Sequence, residues 1–194
     1  MPESSLEPMS PLMGAVSQGA LTVREEGPTG MIALRGDLSD PAFTAPVEAL
    51  AGCRIPGVWQ SSGSDTRGLL WMSPDELLLL MPYGDARSAA PQLQAELDRQ
   101  TVFALVQDVS DMRVRLRIEG PQMREALARL TPADVSPSAL PVGSLRRTRI
   151  AQVAAAIHVL SAEQAEVFCF RSVADYAFRL LSGAARNAPE FEYF

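Results

Sequence analysis

The chain contains no lysine, and its 17 basic residues are all arginines. That absence excludes Schiff-base chemistry and a lysine general base within this polypeptide. It also removes the Gly-Lys-Ser/Thr element of a phosphate-cradling loop. Genomic composition bias is the plain explanation. Histidine is almost as scarce: His158 stands alone, so any Ser-His-Asp or Cys-His arrangement has to use it. It lies in the alternating stretch Ile157–Leu160, where a strand histidine facing solvent or packed at a sheet edge is expected. Cys53 and Cys169 are the only cysteines and form no CxxC pair. Neither a disulfide framework nor a thiolate zinc site is indicated, and a reducing, cytoplasmic setting fits. No run approaches the ~20 apolar residues that span a bilayer. Met1–Gly14, with Glu3 and Glu7, lacks the basic start and apolar stretch of a secretion signal. No Gly-X-Gly-X-X-Gly follows a strand-like segment, which argues against a dinucleotide site. Basic charge is outnumbered by 23 acids, giving a net charge of −6 that repels phosphate backbones. No nucleic-acid or membrane partner is expected.

What is present is an ordinary globular composition, 47% apolar and 21% charged over 194 residues, enough to bury one unassisted core. Residues 1–20 are rich in proline and serine and read as a flexible N-terminal arm. Residues 21–186 read as a single α+β domain, alternatively two ferredoxin-like halves, with 187–194 as a C-terminal tail. Within the domain, 20–24 and 31–35 read as short strands joined through Gly27, Pro28 and Gly30. A helix is expected over 37–52, with Ser39 or Asp40 ahead of Pro41 as its start and Pro46 shortening or bending it. Strands are expected at 58–61, 69–72 and 76–81, then a helix over 85–100 whose Ala86, Ala90, Leu93 and Leu97 recur at helical spacing. A strand over 102–109 follows, which has to lie parallel to 76–81 or be separated from it by a neighbour.

In 112–119, Val114, Leu116 and Ile118 alternate with Arg113, Arg115 and Arg117, the pattern of a half-buried strand with one arginine-covered face. Those arginines are expected to meet acids on a neighbouring strand or on another subunit. Gly120-Pro121 opens a helix carrying Met123, Ala126, Leu127 and Leu130. Strands at 144–150, 153–160 and 166–171 precede a last helix over 173–185. Hairpins outnumber crossovers, so the sheet is expected to be mixed and mostly antiparallel. Asp108, Asp111 and Glu119 could be imagined as a metal set, but no histidine or cysteine accompanies them and no calcium-loop spacing exists, so a solvated turn is expected. Arg146, Arg147 and Arg149 are the best candidates for recognising an anion, as a salt-bridged strand face or a contact for a carboxylate-rich partner.

Five short blocks then stand in a telling order: Leu34-Arg35-Gly36-Asp37; Leu70-Trp71-Met72-Ser73-Pro74-Asp75-Glu76-Leu77; Asp108-Val109-Ser110-Asp111; Gly143 with Arg147-Thr148; and Phe170-Arg171-Ser172-Val173-Ala174-Asp175-Tyr176. Each alone is explained by turns, caps and core packing. Together, over about residues 30–185, they resemble the gamma subunits of heterotetrameric sarcosine oxidase. The resemblance implies an enzyme of α, β, γ and δ chains that demethylates sarcosine to glycine with oxygen and tetrahydrofolate. FAD, covalent FMN, NAD and zinc are housed outside γ, so no cofactor is implied for this chain, and its partners are the alpha, beta and delta subunits. It also implies a fold similar to the folate-binding aminomethyltransferase domain of the glycine cleavage T protein, which supplies the alternative of a stand-alone folate-binding or transferase-like protein. T proteins carry a Gly-Gly-X-X-Asp-Asp block on the strand that reaches the folate. Here the matching positions hold Ala151, Gln152, Ala155 and Ala156, and alanine can neither hold a cationic amine nor move a proton. A structural subunit without catalytic, cofactor-binding or metal-binding residues of its own is therefore expected.

Overall fold

The structure, a computed structural model, describes residues 7–186. In chain order its elements are β1 (Val16–Gln18), β2 (Thr22–Glu25), β3 (Gly30–Arg35), α1 (Pro41–Ala51), β4 (Ser61–Gly63), β5 (Gly68–Ser73), β6 (Glu76–Met81), α2 (Tyr83–Arg99), β7 (Leu105–Asp108), β8 (Arg113–Glu119), α3 (Met123–Ala128), β9 (Leu145–Ile150), β10 (Val153–Ser161), β11 (Gln164–Phe170) and α4 (Ala174–Arg186). They form two sheets. One has the order β1-β2-β8-β11-β10-β9 and the other β4-β5-β6-β3-β7, and every paired strand is antiparallel to its neighbour. The α+β class with antiparallel sheets read from the sequence is what is found. β6 and β7 flank β3, so the crossover through α2 places them on either side of a shared neighbour.

The two sheets repeat one plan. β3-α1-β5-β6-α2-β7 is a βαββαβ run with spatial order β5-β6-β3-β7, the ferredoxin-like arrangement. The run β8-α3-β10-β11-α4 has the corresponding order β10-β11-β8, and its fourth strand is β2, which comes from the start of the chain. β4 and β9 extend the corresponding edges as hairpin partners of β5 and β10.

Burial follows as four layers. α3 and α4 cover the first sheet over Leu116, Ile118, Ile157 and Val167, and α1 and α2 cover the second over Ile32, Leu34, Leu77 and Leu79. The remaining faces meet through Met31, Leu70, Met72, Leu78, Leu80, Leu145, Ala156 and Phe168. At one edge the sheets are stitched together by backbone: Ser61 N donates to Gly143 O (2.9 Å) and Leu145 N to Trp59 O (2.8 Å).

Local chemistry sets the element ends. Asp40 caps α1 by accepting from Ala42 N at 2.8 Å, Pro41 occupies the first turn, and Gly52 at φ 72° ends the helix. Pro46 does not shorten this helix, since α1 continues to Ala51. Burial of Phe43, Val47 and Ala51 outweighs the single hydrogen bond that proline forgoes. Of the strand expected at 58–61, Val58 and Trp59 form a turn instead, because Trp59 sits at φ 62°; Gln60 is bridged to Ser144 and β4 begins at Ser61. Thr101 at φ 59° likewise delays the strand expected from 102 until Leu105. Part of the stretch expected as a loose arm is docked: β1 pairs with β2. The buried Glu25 carboxylate accepts from Ser10 Oγ (2.7 Å), Leu12 N (3.2 Å) and Gly14 N (2.8 Å). The C-terminal tail, 187–194, and residues 1–6 of the arm lie outside the described residues.

Candidate functional site

Alternation on β8 decides which side chains enter the space between the sheets. Val114, Leu116 and Ile118 point to the helices, so Arg113, Arg115 and Arg117 must take the other face, which looks at the second sheet. The arginine-covered face is thus an interior face, with Arg115 and Arg117 only 5% and 8% exposed. The antiparallel register carries the same side across the sheet: Arg113 opposes Phe170, Arg115 opposes Phe168 and Arg117 opposes Glu166. Glu166 opposes His158, which opposes Leu145.

A buried charged network results. Glu166 is fully buried and accepts from Arg115 (2.6 Å) and Arg117 (2.7 Å) through Oε1. Arg117 also meets Glu26 (3.1 Å) and Asp65 (3.2 Å), and Arg115 donates to Thr29 Oγ1 and to Asp65 O. Burial pushes the Glu166 carboxyl up, but the His158 ring and the two guanidiniums outweigh it and hold the group down to about 2. His158 is buried, contrary to the solvent-facing or edge position expected for it, and its Nε2 lies 2.8 Å from Ser61 Oγ. Ser61, His158 and Glu166 thus stand in line, a constellation that no local sequence signal marked, because it joins β4 of one sheet to β10 and β11 of the other. Its geometry is that of a stitch. The His158 Nδ1 to Glu166 Oε2 separation is 3.9 Å, beyond hydrogen-bond reach. Ser61 Oγ also donates to Gly143 O at 3.0 Å, and the Glu166 charge is committed through Oε1 to two arginines. A nucleophile needs a base oriented by a free carboxylate.

Toward the other end of the same face lies a cleft of about 70 Å³ lined by Met72, Arg113, Arg147, Ala154, Ala155, Ala156, Phe168, Cys169 and Phe170. Ala155 and Ala156, the positions where paired acids were sought, therefore form its wall. Burial pushes the Cys169 thiol up to about 11, so no thiolate is offered there. A depression of about 340 Å³ beside it shares Met72 and Arg147 and is lined further by Trp59, Trp71, Pro74 and Arg146. The Arg146 guanidinium lies 4.7 Å from the centre of the Trp59 ring, a cation–π pair. Of the arginine trio of β9, Arg146 and Arg147 reach these cavities and Arg149 is exposed.

The imagined metal set is dispersed. Asp108 accepts from Ser110 N (3.0 Å), Asp111 from Tyr83 Oη (3.0 Å), and Glu119 pairs with Arg24 (3.3 Å). No group of three metal-ligating side chains occurs among the described residues. The 70 Å³ cleft does not fit a flavin, a nicotinamide dinucleotide or a folate, whose sites need several hundred Å³. No described helix is long and apolar enough to cross a membrane.

Residues 35–187 match the model of the sarcosine oxidase, gamma subunit family. The chain belongs to this family. It is 30% identical over 159 residues to the sarcosine oxidase subunit gamma of Corynebacterium sp. (strain P-1), covering 75% of this chain and 72% of that one. Among solved structures, one chain of the heterotetrameric sarcosine oxidase from Corynebacterium sp. U-96 superposes with TM-score 0.78 at 24% identity, covering 91% of both chains. The glycine cleavage aminomethyltransferase T of Bartonella henselae gives TM-score 0.58 at 19% identity, over 84% of this chain and 48% of that one. The gamma-subunit fold thus corresponds to about half of the transferase, and the resemblance read from the five sequence blocks is confirmed by the family match.

Proposed function

We propose that this chain is the structural γ subunit of a heterotetrameric sarcosine oxidase, which it completes by burying a surface against partner subunits while contributing no catalytic group. The match of residues 35–187 to the gamma subunit family carries this reading. Sarcosine demethylation coupled to tetrahydrofolate, the flavins, NAD and zinc belong in this proposal to the alpha, beta and delta chains, and the setting is cytoplasmic. The structure supports an assembly role through the character of its surface. Trp59 is 52% exposed although its backbone is held in the left-handed region, with Val58 and Val142 exposed beside it. Tryptophan and arginine in contact, as Trp59 and Arg146 are, are the residue types that dominate binding energy at protein interfaces. The non-catalytic part of the proposal is supported by the alanine wall of the cleft and by the 3.9 Å gap between His158 Nδ1 and Glu166 Oε2, the other carboxylate oxygen being held by Arg115 and Arg117.

The stand-alone transferase alternative rests on fold likeness alone and is not favoured. Co-expression with the other sarcosine oxidase chains, followed by size exclusion, tests the proposal. Elution of this chain within one large species is expected, and separate elution at every concentration would overturn it. A contact of this kind buries ~1,200 to 5,000 Å² in total, so Trp59→Ala is expected to weaken it at least tenfold.

A further inference from the structure

We propose that the cleft between the sheets is a carboxylate-binding site in which Arg113 and Arg147 together hold one carboxylate group. The inference starts from an imbalance of charge. Arg115 and Arg117 have Glu166, Glu26 and Asp65, whereas Arg113, next on the same face, donates no hydrogen bond among the described residues. Its Nε is shut off from solvent and without a partner. The Phe170 ring lies 5.9 Å from its guanidinium carbon. Desolvation lowers the Arg113 pKa and Arg147 adds to that, while the Glu76 charge offsets only part of it, so a cation is kept there at a cost. Arg147, on the facing part of the rim, is 55% exposed. The nearest acid, Glu76, is spent on Arg35 at 3.1 Å and reaches Arg147 only at 3.7 Å. Asp75 lies outside the cleft, fully exposed and bonded to Ser73.

Two guanidiniums on a shared cavity that no acidic side chain lines recognise an anion. The walls choose its shape. Ala154, Ala155, Ala156, Phe168, Phe170 and Met72 offer apolar surface, and the volume is about 70 Å³. A planar carboxylate with a short aliphatic stem suits such a slot, which has little polar lining beyond its arginines. The carboxylate has two possible sources: a small free acid, or an Asp or Glu side chain presented by a neighbouring chain.

The test has two arms. In the first, the purified full chain is melted in rising acetate or glycine against chloride at matched ionic strength. A saturable rise in Tm that Arg113→Met and Arg147→Met each abolish establishes the site with a free acid as its ligand. Arg147 is exposed, so its variant folds even if the Arg113 variant does not. In the second arm the same variants are co-expressed with the sarcosine oxidase chains. At least tenfold weaker assembly by either variant, with no acetate effect on the isolated chain, establishes a partner carboxylate. No acetate effect together with unchanged assembly overturns the proposal. Where the wild-type chain does not assemble at all, the reading of this chain as a subunit fails and the acetate arm alone decides.

Discussion

At the scale of single residues, Glu166 is the position where chemistry and stability are most tightly linked. Its carboxyl is held at about 2 in the fold against an ordinary 4.5. Every tenfold change in proton affinity is worth about 1.4 kcal/mol, so the charged form contributes roughly 3 kcal/mol. The sign follows from a folded-state pKa that is depressed. The stabilisation is complete above about pH 4.5 and is lost as pH falls through about 2. Glu166→Gln removes that charge at every pH and leaves Arg115 and Arg117 buried without it, at an expected cost of about 3–5 kcal/mol near neutrality. Urea unfolding of both proteins at pH 7 and pH 3 should show the gap between them narrowing in acid. A gap independent of pH would mean that packing, not charge, sets the cost. The thiols give a second reading at this scale. Cys169 is buried with its pKa pushed up to about 11, whereas Cys53 is half-buried beside Ser62 Oγ at 3.4 Å. One fast-reacting thiol per native chain is expected with a disulfide reagent at pH 8, and Cys53→Ser should remove it.

At the scale of elements, most of the helices and strands were legible because burial here follows periodicity closely. The row of Leu77–Leu80 in β6 is buried on both faces, and the stripe Ala86, Ala90, Leu93, Leu97 is the buried side of α2. Positions with left-handed backbone were not legible, since nothing in the residue types of Trp59 or Thr101 announces φ 62° or 59°. The face of β8 was half legible. Its alternation was plain, but which row faces solvent depends on what covers it, and the second sheet covers the arginines. The Ser61–His158–Glu166 line was beyond reach for the same reason, since it needs the register of two strand pairs and the stitching of two sheets. Two substitutions test the local account. Asp40→Ala removes the α1 cap bond to Ala42 N and should cost about 1 kcal/mol in thermal or chemical unfolding. Gly120→Ala should cost more, because the residue sits at φ 138° and an added Cβ would clash with Leu21 Cδ2. An Asp40→Ala loss larger than the Gly120→Ala loss would contradict this ordering.

At the scale of the whole molecule, the two sheets differ in how their fourth strand is supplied. β7 follows α2 directly, whereas the strand that should follow α4 is β2, drawn from the other end of the chain. The end of α4 is nevertheless beside it: Leu21 N donates to Ala185 O at 3.3 Å, and Gly19 lies so close to Arg186 that a Cβ there would meet its Cα at 2.9 Å. A chain beginning at Pro28 and carrying residues 20–26 after Arg186 through a short glycine linker would therefore give both sheets the same strand connectivity. The start of β2 and the end of α4 are close enough to be joined in this way. The permutant keeps Leu21 and Val23, which are 2% and 0% exposed, and forgoes the docking of Ser10, Leu12 and Gly14 on Glu25. It is expected to fold with one cooperative melt and to lose the few kcal/mol of those three bonds and of the β1–β2 pairing. Simple deletion of residues 1–27 removes the two buried side chains, at about 2–5 kcal/mol each, and leaves β8 as an open sheet edge. That chain is expected to aggregate or stay unfolded by circular dichroism and size exclusion. Equal stability of deletion and permutant would show that β2 is dispensable and that the first sheet is complete without it.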